Sequence, residues 1–242
     1  MSLSDNANLP KMNVSLRSLK HVPLFAGLNE EELKEIRTIA AAMQVAKGEI
    51  LFSDCEESNG LYVVLSGKVK LYKVSREGKE QIIHVISPPD TFAEASVFLK
   101  GSHPFYAETL SDCQLLFLPK RDLLRLIRKN SRLSANMTII LSNYVKRYAS
   151  LIEDLSLKEI PARIARYLLD LSLKQSKGAK TPHELDLDLS RSQLASRLGT
   201  IRETLSKNLS KMKAMGIIEV KRNRILILDR KALEKLASGL KL

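Results

Sequence analysis

Short apolar runs separated by turn residues occupy the middle of the chain. Between Gly48 and Leu118 the runs are rich in Val, Ile, Leu, Tyr and Phe, and Gly, Pro, Asn and Asp lie between them. Several short strands with turn signals at this spacing predict an antiparallel sandwich or barrel. The predicted strands are residues 49–53, 60–65, 68–74, 80–86, 107–110 and 114–118, with a hairpin turn at 75–78.

Helical periodicity lies on both sides of these strands. Before them, Asn29 and the acidic residues that follow predict a helix with Leu33 and Ile36 on its buried face. After them, apolar residues in 131–156 recur every three or four positions. This near-heptad spacing favours a helix that pairs with its copy in a dimer, over one packed on its own barrel. The predicted dimer seam is Leu133, Met137, Ile140, Tyr144, Tyr148, Leu151 and Leu155.

Two capping boxes follow each other in the last third of the chain. Ser190 with Gln193 predicts the start of one short helix, and Thr200 with Glu203 predicts the start of a second. Gly199 suits the turn between them, so the pair predicts a helix-turn-helix. A helix near 160–174 precedes it, and the apolar runs 217–220 and 225–228 complete it as a winged hairpin. The second helix has a predicted core side of Ile201, Leu205, Leu209 and Met212.

Charge is concentrated in the same region. The whole chain has a net charge of +12, and residues 158–242 carry 19 Lys and Arg against 9 Asp and Glu, or +10. A basic domain beside a nearly neutral one indicates an anionic polymer as its partner. Arg202, Glu203 and Lys207 lie on the polar face of the second helix, where such side chains can contact guanine and cytosine edges. The sequence therefore predicts binding to double-stranded DNA.

Other classes of protein lack support in the sequence. No Gly-rich phosphate loop, nucleophile–His arrangement or cluster of metal ligands is evident, so we predict no enzyme and no metal site. Cys55 and Cys113 cannot form a disulfide framework or hold a four-thiolate iron–sulfur cluster. No apolar run has a membrane-spanning length and no secretory signal is present, which indicates a cytoplasmic protein without a membrane partner. An architectural DNA-binding protein would explain the basic third but not the barrel.

The sequence resembles the Crp/Fnr family of bacterial transcription regulators over nearly its whole length. The similarity is carried by GLYVVLSG at 60–67, by the long helix and by GTIRET at 199–204. It implies an α+β protein: an antiparallel β jelly roll of the cyclic-nucleotide-binding type (1–130), a dimerisation helix (131–157) and a C-terminal winged helix-turn-helix (158–242). RNA polymerase is an implied partner.

The resemblance also implies roles for the DNA-contacting residues. Arg202, Glu203 and Lys207 match the positions with which the family contacts the bases of a TGTGA-like half-site, so the implied site is a palindrome. The implied contacts to the DNA backbone come from Ser190, Arg191, Thr200 and Ser206.

The implied effector pocket departs from that of cyclic-nucleotide binders. The family neutralises the cyclic phosphate with an Arg-Ser pair, and Pro104 and Phe105 stand at those positions here. Tyr148 and Ala149 replace a Thr-Ser pair that contacts adenine, so we do not expect cyclic AMP to bind. The implied pocket residues are Phe92, Ala93, Glu94, Ala95, Phe98, Pro104, Phe105, Tyr144 and Tyr148.

Two segments, 91–95 and 152–158, are similar to the branch that contains the dissimilative nitrate respiration regulator and the hybrid cluster protein regulators. That similarity implies a haem cofactor and a response to nitric oxide. Haem needs an axial ligand, and the candidates are His103, His84 and His21. An organic or aromatic small molecule is the alternative effector.

Overall fold

The computed structural model describes residues 15–99, 101–176 and 184–240. The chain forms two compact units that divide inside its longest helix, between Arg147 and Tyr148. We call them the N-terminal unit and the C-terminal unit.

The N-terminal unit is a β structure flanked by helices. Its helices are α1 (Leu16–Lys20), α2 (Glu30–Ile39), α3 (Glu94–Phe98), α4 (Lys120–Lys129) and the first part of α5 (Ser131–Leu157), with a 3-10 turn at Pro23–Phe25. Its strands are β1 (Ala41–Val45), β2 (Ile50–Phe52), β3 (Gly60–Ser66), β4 (Val69–Val74), β5 (Glu80–Ile86), β6 (Asp90–Phe92), β7 (Tyr106–Thr109) and β8 (Cys113–Pro119). All six predicted strands are present. β1 was not predicted because it follows the helical pattern of α2 after a single residue, and β6 was not predicted because it has only three residues.

The eight strands form two antiparallel sheets, in the orders β1-β8-β3-β6 and β2-β7-β4-β5. Alternation along the strands sends side chains to opposite faces. Tyr62 and Val64 of β3 belong to an apolar cluster that both sheets share, whereas Leu61 and Val63 pack with the helices. The predicted α+β fold with a β jelly roll of the cyclic-nucleotide-binding type is confirmed.

The first half of α5 corrects the predicted dimer seam. Leu133, Met137 and Ile140 are buried inside their own N-terminal unit, in the cluster that covers the outer face of β3 and β8. They are therefore not available to a second copy, and packing on the chain's own barrel is the correct interpretation for this half. A 3-4 periodicity identifies a buried helix face but not what buries it.

The C-terminal unit contains the rest of α5, five further elements of the predicted winged helix-turn-helix and two elements that were not predicted. They are α6 (Ile160–Gln175), β9 (Glu184–Asp186), α7 (Arg191–Arg197), α8 (Arg202–Ala214), β10 (Ile218–Lys221), β11 (Arg224–Ile227) and α9 (Arg230–Ala237). The sheet order is β10-β11-β9, so the short β9 extends the hairpin. Within the described residues, no helix is both long and apolar enough to span a bilayer.

Candidate nucleic-acid interface and candidate effector site

The turn between α7 and α8 is defined by backbone hydrogen bonds. Ser190 and Gln193 form the predicted capping box, with Gln193 N–H donating to Ser190 Oγ and Ser190 N–H donating to Gln193 Oε1. Gly199 has a φ of +66°, and Thr200 N–H then donates to the Ala195 carbonyl at 3.0 Å. A left-handed residue at this point favours glycine, because it ends α7 without a Cβ clash.

The second predicted capping box is wrong. α8 begins at Arg202, one residue later than expected, and its N-cap is Ile201, whose side chain makes no cap. Because the turn takes up Thr200, Glu203 is not at the N3 position that reciprocal capping needs. Ile201 was predicted in the core but is 55% exposed.

α8 has two chemically distinct faces. Its buried face consists of Leu205, Leu209 and Met212. Arg202, Glu203 and Lys207 lie in the first two turns and are exposed, and we call them the base-contact face. No ion pair joins Glu203 to Lys207 or to Arg202 in the described part of the chain. Their charged groups are therefore directed to solvent rather than neutralised by one another.

Arg163 of α6 connects the end of α5 to the α7–α8 turn. Its guanidinium donates to the carbonyls of Leu155 at 2.8 Å, Lys158 at 2.9 Å and Leu198 at 3.0 Å. Three charge-assisted hydrogen bonds from one planar group hold these backbone segments in a fixed arrangement. The sequence analysis did not identify Arg163, since a lone arginine on a helix gives no signal of this role.

Arg191, at the first position of α7, is a partly buried cation. Its Nη2 donates to the Arg222 carbonyl at 3.4 Å, while its buried Nη1 has no hydrogen-bond partner among the residues that the structure describes. Burial lowers the pKa of the Arg191 guanidinium. A buried donor without an acceptor costs free energy, so this group is suited to an external anion.

The hairpin of β10 and β11 provides further basic side chains. Arg222 has a φ of +35° in the tight turn, and Asn223 Nδ2 donates to the Leu187 carbonyl at 2.9 Å. Arg224 instead pairs with Asp186 at 2.7 Å and Glu184 at 3.5 Å, and these carboxylates raise its pKa. The wing therefore presents Arg222, whereas Arg224 joins β11 to β9.

Polar groups of the N-terminal unit are arranged differently. Glu94 is buried at the start of α3, where Thr91 Oγ1 donates to its Oε1. The Tyr144 hydroxyl of α5 lies 3.2 Å from the same Oε1 and 3.0 Å from the Thr91 carbonyl. Burial raises the pKa of the Glu94 carboxyl to about 7. The predicted pocket residues Glu94 and Tyr144 thus lie together, whereas Phe92 packs in the aromatic cluster between the sheets.

His103 forms a second buried polar group. Its ring stacks on Phe52 with centroids 3.6 Å apart, and its Nδ1 is 3.1 Å from Ser96 Oγ. Burial, together with the nearby charge of Lys120, lowers the pKa of His103 to about 4. Lys120 Nζ itself donates to the carbonyls of Ser96 and Leu99. The imidazole is therefore neutral at neutral pH.

The remaining predicted pocket residues are not all brought together. Phe105 packs on the apolar cluster between the sheets. Ala93 is the N-cap of α3 and has a φ of +70°, and Ala95 lies in the first turn of that helix. Phe98 is 47% exposed and Pro104 is also exposed, so neither lines a buried pocket in this arrangement. Tyr148 is half-buried and is the first residue of the C-terminal unit.

Two family models match most of the described chain. A cyclic nucleotide-binding domain model matches residues 42–130, and a Crp-like helix-turn-helix domain model matches residues 162–236. The chain belongs to the Crp/Fnr family of transcription regulators. Members of this family are regulators and not enzymes, as predicted.

Individual Crp/Fnr relatives support the same assignment. The cyclic AMP receptor protein of Thermus thermophilus is 28% identical over 92% of this chain and all of the relative. The fumarate and nitrate reduction regulatory protein of Escherichia coli is 29% identical over 87% of this chain and 84% of the relative. A CooA variant from Carboxydothermus hydrogenoformans has the same fold, with a TM-score of 0.75 at 24% identity over 93% of this chain and 97% of that one.

The three predicted axial ligands for haem differ in their hydrogen bonding in this Crp/Fnr chain. The Arg147 guanidinium, which can only donate, is hydrogen-bonded to Nε2 of the buried His84 and so occupies its lone pair. His103 is held through Nδ1 by Ser96, and the exposed His21 is held through Nδ1 by the Arg17 carbonyl. These bonds leave Nε2 of each ring for a ligand bond.

The interior between the sheets also leaves no slot for a porphyrin in this arrangement. Phe92 stacks on Tyr62 with centroids 5.0 Å apart, and Phe52 lies 5.8 Å from Tyr62 and 6.1 Å from Phe92. The packed interior therefore does not fit a porphyrin in this arrangement, and the haem cofactor stays a prediction.

Proposed function

We propose that this Crp/Fnr regulator is a homodimer that binds an inverted repeat of TGTGA-like half-sites. The observation that carries the proposal is the exposed base-contact face at the start of α8. Arg202 and Lys207 can donate to the O6 and N7 atoms of guanine, and Glu203 can accept from N4 of cytosine. Side chains in the first turns of a recognition helix are those that contact base edges.

The contacts to the DNA backbone follow from the same geometry. Ser190 and Arg191 begin α7, Thr200 precedes α8, and the exposed Ser206 lies beside the base-contact face. A phosphate oxygen would supply the acceptor that Arg191 Nη1 lacks. Such contacts position the protein on the duplex and carry no sequence information themselves.

The dimer that we propose uses a different face of α5 from the one predicted. Ile139, Val145 and Ile152 are 59%, 70% and 64% exposed. Val145 and Ile152 belong to a row of exposed residues that recur every three or four positions along α5, as an interhelical seam requires. The residues of this row are Ser142, Val145, Ala149, Ile152 and Ser156. Two copies paired along this face would bury the apolar side chains that a single chain leaves in water.

The effector that best fits the N-terminal unit is an organic or aromatic small molecule. The aromatic cluster of Phe52, Tyr62 and Phe92 offers apolar contacts, and Glu94 and His103 offer polar ones. Pro104 and Phe105 supply no cation for a cyclic phosphate, which supports the expectation that cyclic AMP does not bind. RNA polymerase remains a partner expected from the family.

The DNA proposal is tested by fluorescence anisotropy on a labelled duplex with two TGTGA half-sites, their centres about 10 base pairs apart. We expect a dimer to bind it more tightly than a scrambled duplex, with an affinity that falls steeply as salt rises. Equal affinity for both duplexes, with and without candidate effectors, would contradict the proposal and favour an architectural DNA-binding protein.

A separate measurement decides between the effector classes. Absorption spectra of the purified protein with added haem, before and after nitric oxide, should show no bound-haem Soret band if the packed aromatic interior excludes a porphyrin. A Soret band that shifts with the gas would restore the haem hypothesis. Binding of cyclic AMP at micromolar concentration would show that another group neutralises its phosphate.

A further inference from the structure

A cavity of about 420 Å³ lies within the C-terminal unit. Its walls come from the end of α5, the first turn of α6, the second half of α8 and the residues after α9. Cavities of roughly 300–1,000 Å³ are the size that small-molecule ligands occupy. This cavity is therefore large enough to hold a small molecule, and it is larger than a packing defect.

The cavity borders the second half of α8. Asn208, Lys211 and Met215 line it. At 100° per residue, Asn208 and Met212 lie about 140° and 180° around the helix from Glu203, whereas Lys211 follows Lys207 by one turn and lies on the same side as Lys207. A ligand held at Lys211 would therefore lie beside the base-contact face, one turn after Lys207.

The lining is largely apolar and partly exposed. Ala162 and Met212 are buried, whereas Leu157, Met215 and Leu240 are 80%, 54% and 62% exposed. Three large apolar side chains left in water around one cavity would each gain from contact with an apolar ligand. Methionine side chains adapt their shape to such a ligand more readily than branched ones.

The charged groups at the cavity restrict the chemistry of the ligand. Lys158 is already paired with Glu153 at 3.3 Å and Asp154 at 2.9 Å. Lys211 forms no ion pair with any residue in the described ranges, so its ammonium group can take an external anion. Glu159 also lines the cavity and disfavours a second negative charge on the ligand.

We propose that this cavity binds a small amphipathic carboxylate, with its apolar part against Ala162, Met212 and Met215 and its carboxylate at Lys211. Such a ligand also touches Leu157 and the segment that joins α5 to α6. The site is separate from the effector site of the N-terminal unit. It depends neither on dimerisation nor on DNA, so its test is independent of the proposed function.

The experiment uses the full chain labelled with [13C-methyl]methionine and titrated with decanoate below its micelle concentration. We expect saturable shifts of the Met212 and Met215 methyl signals, while Met43 and Met137 of the N-terminal unit stay unchanged. Decanol serves as the neutral probe of the same length. It should bind about tenfold more weakly, because it lacks the charge that faces Lys211.

Three variants locate the ligand. Lys211→Ala should weaken decanoate about tenfold and leave decanol unchanged, whereas Lys235→Ala, on the exposed side of α9, should change neither. Ala162→Leu should abolish binding of both probes by filling the cavity, with a urea midpoint measured to confirm that it folds. Lys211 is exposed, so its variant keeps the test valid if Ala162→Leu fails to fold.

Several outcomes would overturn the proposal. Shifts of Met43 or Met137 with none at Met212 and Met215 would place the probe in the N-terminal unit. Equal binding of decanoate by wild type and Lys211→Ala would show that Lys211 does not bind the carboxylate. Met215 signals that depend on protein concentration rather than on decanoate would show that a second copy covers the cavity.

Discussion

The two units keep their functional polar groups in opposite states. In the C-terminal unit, Arg202, Glu203 and Lys207 are exposed on one helix face and are not paired with one another. In the N-terminal unit, Glu94 and His103 are buried and hydrogen-bonded within the fold. The exposed groups of the C-terminal unit can form hydrogen bonds with water. The buried groups of the N-terminal unit form theirs with other protein groups.

This difference follows from what each site has to do. A surface that contacts DNA bases exchanges hydrogen bonds to water for hydrogen bonds to base edges. Its side chains should therefore be held in position without being paired to other protein groups. A buried site that responds to an effector already has internal partners, and an effector must replace them with better ones. Substitutions in the N-terminal unit should therefore change the free energy of unfolding, whereas substitutions on the base-contact face should change DNA affinity alone.

The largest expected effects separate the two halves of α5. Met137→Ala should lower the free energy of unfolding by about 3 kcal/mol, because it leaves a cavity in the core of the N-terminal unit. Ile152→Ala should instead weaken dimerisation by about 3 kcal/mol, since a symmetric seam contains two copies of this residue. Urea unfolding and sedimentation equilibrium measure the two quantities. If Ile152→Ala left the dissociation constant of the dimer unchanged, the proposed face of α5 would not be the dimer interface.

A smaller effect is expected at the buried carboxyl of Glu94. Glu94→Ala removes the acceptor of the buried Thr91 hydroxyl and one of the two acceptors of the Tyr144 hydroxyl, which should lower the free energy of unfolding by about 2 kcal/mol. Glu94→Gln keeps an acceptor oxygen and should cost less than about 1 kcal/mol. Urea unfolding of the two variants tests this, and equal losses for both would show that the hydrogen bonds to Glu94 contribute nothing.

The sequence predicted the parts of the fold that depend on local pattern. The strand β5 was predicted at its observed bounds, and the capping box of Ser190 and Gln193 was predicted correctly. These features depend on neighbours within a few positions. The exposed polar face of α8 belongs to the same class, because it needs only helical periodicity and the presence of a buried opposite face.

Features that depend on distant partners could not be predicted in this way. Leu133 and Met137 were assigned to a dimer because nothing local shows that α2 and the outer face of a sheet cover them. Arg147 was missed because its partner His84 lies 63 positions earlier in the chain and becomes a neighbour only in the folded unit. The predicted start of α8 is one residue too early, because Thr200 belongs to the turn at Gly199 and not to the helix.

The base-contact face should respond in DNA affinity and not in stability. Arg202→Ala and Lys207→Ala should each weaken binding to the TGTGA palindrome by between about 1 and 2 kcal/mol and relax the preference at one base pair. Lys231→Ala, an exposed change on α9, is the matched control. Anisotropy on duplexes with single base-pair substitutions measures both effects. If Arg202→Ala weakened every duplex equally, Arg202 would contact phosphate rather than a base.

The smallest effect expected in the wild-type protein is its pH dependence, because two buried groups oppose each other. Glu94 has a pKa of about 7 when folded, above its unfolded value, so folding takes up a proton and stability falls as pH rises towards 7. His103 has a folded pKa of about 4, below its unfolded value, so folding releases a proton and stability rises with pH up to the ordinary histidine pKa. Between roughly pH 4.5 and 6.5 the two slopes, each of about 1.4 kcal/mol per pH unit, cancel.

Variants that remove one of the two groups should expose the slope of the other. In Glu94→Gln the free energy of unfolding should rise between about pH 5 and pH 6, because the slope from His103 is no longer opposed by Glu94. In His103→Gln it should fall over the same interval, because the slope from Glu94 is no longer opposed by His103. Urea unfolding at the two pH values gives these slopes directly. Parallel slopes in both variants would mean that neither group is buried as the structure places it, and the contrast between the two units would then rest on the base-contact face alone.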